Sequence, residues 1–155
     1  MLQNADIVWQ YEKSLPFFGW NFRYIRELYM GAIIGALGQP LPFVDLADGS
    51  VSLRNLAAFM GASKEDLSAV LGKNRKTIER DAVSRETRER LKPIIYILKM
   101  LWEITGQNDA EIKRWLHEPL VEWRGISPME SLCTGNPDAV ITLVERIRDG
   151  HSSGY

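Results

Sequence analysis

The sequence predicts an all-α protein. From Ser52 onward apolar residues recur at helical spacing almost without interruption. Each periodic stretch also carries its own punctuation, a Ser or Asn before it and a Gly or Pro after it. Most of these stretches are too short to be stable alone in water, so they must pack on one another and on the one long helix.

Taken in order, the first fifty residues hold nine of the 15 aromatics (five each of Trp, Tyr and Phe): Trp9, Tyr11, Phe17, Phe18, Trp20, Phe22, Tyr24, Tyr29 and Phe43. Phe22, Ile25, Leu28 or Tyr29, Ile33 and Leu37 have helical spacing from Asn21, and Gly38-Gln39-Pro40 ends that helix. Ordinary core packing and a partner or self-association surface are both open to this module. LPFVDLADGSVSL then reads as a loop or a small hairpin around Asp48-Gly49. Ser52 caps a helix with Leu53, Leu56, Ala57 and Met60 inward, closed by Gly61. Ser63, with Asp66 at N3, caps the next, whose stripe is Leu67, Val70 and Leu71, closed by Gly72. Asn74 caps a short helix containing Thr77, Ile78 and Ala82. Ser84 opens a long one with Leu91, Ile94, Ile95, Leu98, Leu101 and Trp102 inward, and Pro93 inside it predicts a kink or a break.

Three small helices follow. Asn108 and Glu111 start one with Ile112, Trp115 and Leu116 on a stripe that Pro119 stops. Ser127-Pro128-Met129-Glu130 is a helix start with cap, Pro at N1 and Glu at N3, and Asn136-Pro137 repeats the device before Val140, Ile141, Val144 and Ile147. The chain thus divides into an aromatic segment over 1–50, a helix-turn-helix region over 51–105 and a helical C-terminal module over 106–155.

A net charge of −1 exerts no global pull toward nucleic acid. The charge is segregated, however: residues 73–92 carry eight Lys/Arg against four Asp/Glu, a local +4, and the remainder carries −5. Within that run DLSAVLGKNRKTIER, residues 66–80, has helix-turn-helix spacing. Gly72 makes the turn, Asn74 caps, and Ile78 plugs the space between the helices. Lys73, Arg75, Lys76 and Arg80 are left outside, where a major groove could receive them. Phosphate contact falls to Lys73, Lys76, Arg85, Arg88 and Arg90. The DNA-facing candidates are therefore Lys73, Asn74, Arg75, Lys76, Arg80 and Arg85. A solvated helix pair without a ligand is the alternative, because Glu79 and Asp81 on the second helix repel phosphates.

The single Cys133 forms no internal disulfide, and with His117 and His151 it makes no zinc set of recognisable spacing. The expectation is a reducing, cytoplasmic setting, without a leader peptide or a membrane span. No nucleophile beside a base and no Gly-rich phosphate loop occurs, so neither catalysis nor a cofactor is expected.

The order WLHEP, then WRGISPMESL, then a terminal amphipathic helix resembles the C-terminal toxin-binding domain of the Xre/MbcA/ParS-like antitoxins, over residues 63–150. Its most specific part is Trp115-Leu116-x-x-Pro119 followed by Gly125-x-x-Pro128-x-x-x-Leu132, and the helix-turn-helix with Thr77 and Arg80 is the same family's N-terminal half. The chain departs from the family in Glu79, Asp81, the single Gly of WRG and the aromatic segment. The resemblance implies a helix-turn-helix half joined to a small helical toxin-binding domain. It also implies an antitoxin that neutralises a RES-domain toxin, an enzyme class acting on NAD, and that represses its own operon at operator DNA. A stand-alone helix-turn-helix transcriptional regulator is the alternative. Trp123 and Arg124, residue types enriched at binding hot spots, are the first partner-facing candidates. Arg148 and the tail residues Ser152 and Tyr155 complete that set. In the antitoxins this chain resembles, the C-terminal region lies against the mouth of the toxin's NAD pocket, and either a plugging tail or a loose terminus fits RIRDGHSSGY. A homodimer is expected, since such motifs bind paired half-sites.

Overall fold

A computed structural model describes residues 41–45 and 49–150. The aromatic segment up to residue 40, the hairpin tip at residues 46–48 and the tail from His151 lie outside the described residues. The described part is all-α, with seven α-helices and only two isolated β-bridges.

The helices begin where side chains satisfy their first free N–H groups. The Ser52 hydroxyl accepts from Asn55 N at 3.2 Å to open α1, Leu53–Met60, and Gly61 closes it. Ser63 and Asp66 form a reciprocal capping box on α2, Lys64–Leu71. Asn74 Oδ1 accepts from Thr77 N at 2.9 Å on α3, Arg75–Glu79. Ser84 opens the 20-residue α4, Arg85–Ile104, and Asn108 opens α5, Asp109–His117. After a 3-10 turn, Val121–Trp123, a second capping box of Ser127 and Glu130 starts α6, Pro128–Cys133. The last helix, α7, Pro137–Arg148, begins with Pro137.

Several expectations change. Asn136 makes no side-chain cap bond; Pro137 at N1 has no N–H to satisfy, which lightens the need for one. Ala82 lies beyond α3 and is exposed. Pro93 does not break α4, which runs on as one helix with the proline ring buried. The hairpin ends are paired: Val44 bridges Val51, and Asp45 N donates to Ser50 O at 2.8 Å.

Packing centres on α4. Its residues 96–101 are all buried, so this stretch is covered on every side. Its broadest partner is α7, where the Tyr96 hydroxyl donates to Glu145 Oε1 at 2.7 Å. The helix α5 packs on α4 and α6, while α6 bridges α7 and α2. The helix α1 rests on α5 and α3. One continuous core therefore runs from Phe43 to Val144 through Leu56, Leu67, Leu71, Ile78, Leu91, Leu98, Ile112, Leu116, Met129 and Val140. Phe43 meets Phe59 edge-on at 5.1 Å, and Phe59 meets Trp102 at 5.7 Å. Val70, Ile95, Trp102, Trp115 and Ile147, which have inward spacing, are only half-buried.

Asp81 holds the short α3 region in place. It adopts a left-handed backbone, φ 54°, directly after the α3 cap residue. That reversal turns its carboxylate back onto α1, where Oδ2 accepts from Ser52 Oγ at 2.9 Å and Oδ1 accepts from Leu53 N. The charge that seemed to face a phosphate is spent on the positive end of α1 instead. Asp81→Ala is expected to destabilise the protein by about 1–2 kcal/mol in urea unfolding, because a cap and a preferred left-handed residue type are lost together.

The capping boxes also set a pH dependence. The Ser63 backbone N–H, then its hydroxyl, holds the Asp66 carboxyl below its ordinary value, and the Ser127 backbone N–H does the same to Glu130. A carboxyl depressed in the folded state stabilises above its unfolded pKa and loses that contribution as pH falls through the folded value. The urea midpoint is expected to fall as pH drops below about 4, and Asp66→Asn with Glu130→Gln, a pair that removes the titrating carboxyls, is expected to flatten that fall.

Candidate functional site

Two surfaces carry chemistry that the core does not need. The first is the basic region around α2, α3 and the start of α4. Gly72 leaves α2 at φ 58°, and an added Cβ there would collide with Arg90 Nη1. Arg90 lies over the glycine to donate to Leu71 O at 3.2 Å, so it caps α2 rather than standing free for phosphate. Lys73 is also engaged. Its side chain is only 20% exposed, and Nζ lies 2.6 Å from Glu86 Oε2. The expectation that Lys73 stands outside is thus corrected: the turn folds it against the first turn of α4.

Arg75 points outward but is paired twice, through Nη1 to Glu65 at 2.9 Å and Nε to Glu79 at 3.1 Å. Glu79 Oε1 also lies 3.3 Å from Lys64 Nζ. Lys64 above all, and then Arg75, hold the Glu79 carboxyl below the usual range, and Lys73 does the same to Glu86. The Asn74 side-chain oxygen is occupied by Thr77, whose N and Oγ1 both donate to it.

What remains is Lys76 on α3, Arg80 at its C-cap, and Arg85 and Arg88 on α4, all exposed and in no ion pair among the described residues. Spacings of four and three residues put each pair on one helix face. Arg85 and Arg88 sit in the first turns of a 20-residue helix, where the dipole disfavours cations, so the fold itself gains nothing from them there.

The second surface is the turn between α5 and α6. After Pro119 the backbone closes on itself: Leu120 N donates to Ile126 O at 3.1 Å, Gly125 N to Leu120 O at 2.9 Å and Ile126 N to Trp123 O at 3.2 Å. Arg124 is held at φ 57° and Gly125 at φ 86°. A left-handed arginine costs about 1 kcal/mol, which the surrounding bonds must offset. The turn is anchored twice, by Trp123, which is half-buried against the core, and by a 3.6 Å ion pair from Glu122 to Arg146 on α7.

The outward apolar groups are therefore not the tryptophan. They are Val121, 88% exposed, and Ile126, 49% exposed. Sequence reasoning missed both. Their signal was that neither belongs to any helical stripe, although both are apolar and lie between two helix boundaries. Arg124 stays exposed beside them. Arg148 is drawn back instead, with Nη1 on Met100 Sδ at 3.3 Å and Nε on Asp149 at 3.0 Å. Ser152 and Tyr155 lie outside the described residues. Cys133 Sγ meets Asp66 O at 3.7 Å, and burial pushes its thiol up, which makes it a packing residue that joins α6 to α2.

Among the described residues no helix is long and apolar enough to cross a membrane. The chain matches no family model, no curated protein and no solved structure.

The division of labour in the turn is testable by substitution. Trp123→Ala is expected to lower stability by about 1–3 kcal/mol, a discounted large-to-small cost for a half-buried ring. Val121→Ser is expected to stay within about 0.5 kcal/mol of the parent in the same urea titration.

Proposed function

We propose that this chain is a binding protein of the antitoxin type, which docks on a partner toxin through its C-terminal module and contacts operator DNA through its basic face. The observation that carries the reading is the rigid turn over residues 120–126. It spends backbone strain at Arg124 and leaves Val121 and Ile126 in solvent, an arrangement that stability does not reward. A pre-formed apolar knuckle with an arginine beside it loses little entropy on docking.

In this reading the partner is a RES-domain toxin acting on NAD, as the WLHEP and WRGISPMESL order suggests. Docking of the folded module blocks the enzyme. The basic face supplies autoregulation, with Lys76 and Arg80 as groove contacts and Arg85 and Arg88 on phosphates. A stand-alone DNA-binding regulator is the second reading. The unpaired cations at the start of α4 favour it as much as they favour the antitoxin.

Co-expression with a RES-domain enzyme tests the first reading. The parent chain is expected to co-purify with the toxin and preserve cellular NAD. Val121→Asp with Ile126→Asp is expected to weaken the complex by about tenfold to a hundredfold without changing the helical signal. A parent chain that shifts its own promoter DNA yet neither binds nor restrains the toxin would decide for the regulator.

A further inference from the structure

The eight cations of residues 73–92 are not equivalent, and the difference between them lies in what their carboxylate partners also hold. Glu86 pairs with Lys73 at 2.6 Å and with Arg90 at 3.4 Å. Both of those cations are tied to the fold: Lys73 is largely covered, and Arg90 caps α2 over Gly72. Removing Glu86 therefore leaves Arg90 on Leu71 O and loosens at most Lys73, whose side chain is only 20% exposed.

Glu79 is placed differently. It is the last residue of α3, and its Oε1 takes both Lys64 Nζ at 3.3 Å and Arg75 Nε at 3.1 Å. These two cations are 53% and 60% exposed, and neither has another role in the fold apart from the second pair of Arg75 with Glu65. Glu79 lies four residues after Arg75 and three after Lys76, spacings that put the carboxylate on the same face of α3 as those two cations.

Resting on the DNA-binding half of the reading above, we infer that Glu79 sets the affinity of the basic face for duplex DNA by holding Lys64 and Arg75 in intramolecular pairs that phosphates must displace. Exposed ion pairs of this kind are weak, so exchange with phosphate is feasible and the brake is modest. Every phosphate contact made by a released cation also releases counterions from the duplex, which steepens the salt dependence of binding. Because phosphates are the same in every duplex, this brake acts on arbitrary and upstream DNA alike.

The test uses the full chain and two duplexes, one from the region upstream of its own gene and one of scrambled sequence, titrated between about 50 and 200 mM salt. Glu79→Gln keeps the side-chain size and removes the charge. It is expected to tighten binding to both duplexes by about two- to fivefold, the equivalent of one exposed ion pair, and to steepen the log–log salt slope by about one. Glu86→Gln removes the same charge from the same face and is expected to give less than half that gain. In an Arg75→Ala background the Glu79→Gln gain is expected to shrink. A parent chain that binds while Glu79→Gln binds no tighter, or while Glu86→Gln gains as much, overturns the role of Glu79 alone. Failure of both the parent and Glu79→Gln to bind either duplex at the lowest salt overturns that role and DNA binding together. Circular dichroism on each variant reports whether the helices are retained.

Discussion

Burial of the middle of α4 is the interaction on which the other helices depend. Among the described residues six of the seven α-helices have twelve residues or fewer, and isolated helices of that length are marginal in water. The 20-residue α4 is covered around its full circumference over residues 96–101, so it offers apolar surface in several directions at once. The helix α7 takes the broadest of these faces, and Tyr96 ties the two together through Glu145. The remaining helices complete the shell by packing on each other, and α2 reaches α6 so that the basic region and the C-terminal module share one core.

Half of the cations over residues 73–92 are taken up by ion pairs within the fold. Of the local excess over residues 73–92, Lys73, Arg75, Arg90 and Lys92 are held by neighbouring carboxylates. Asp81 is turned onto α1, which removes one acid from the face it seemed to oppose. A simple count of lysines and arginines therefore overstates what a polyanion meets, and a simple count of acids overstates the repulsion. The exposed remainder, Lys76, Arg80, Arg85 and Arg88, is smaller than the composition suggests and runs from α3 and its C-cap into the first turns of α4.

The turn between α5 and α6 shows the same economy in apolar groups. Trp123, the largest side chain in it, supports the turn from beneath, and small β-branched residues face solvent. The backbone bonds among Leu120, Trp123, Gly125 and Ile126 fix their position. Rigidity of this kind lowers the entropic cost of docking, which large flexible side chains would raise.

The all-α class, the helix starts at Ser52, Ser63, Asn74, Ser84, Asn108 and Ser127, and the stops at Gly61 and Gly72 were legible in the sequence. Caps and left-handed stops are interactions between residues three to six apart, so the local order of side chains determines them. The buried stripes of Leu53, Leu67, Ile78, Leu91, Ile112 and Val140 were legible for a related reason, since the helical period alone places them on one face. Only the tertiary structure decided which candidate site residues were available. Lys73 is paired with Glu86 thirteen positions away, Arg75 with Glu65 ten away, Arg148 lies on Met100 forty-eight away, and Asp81 caps α1 from twenty-eight away. The same holds for the turn, where packing of Trp123 against distant helices turns the ring inward and leaves Val121 and Ile126 outside. Local periodicity carries no information about a partner that arrives from another part of the chain, and pairing and exposure are properties of such partners.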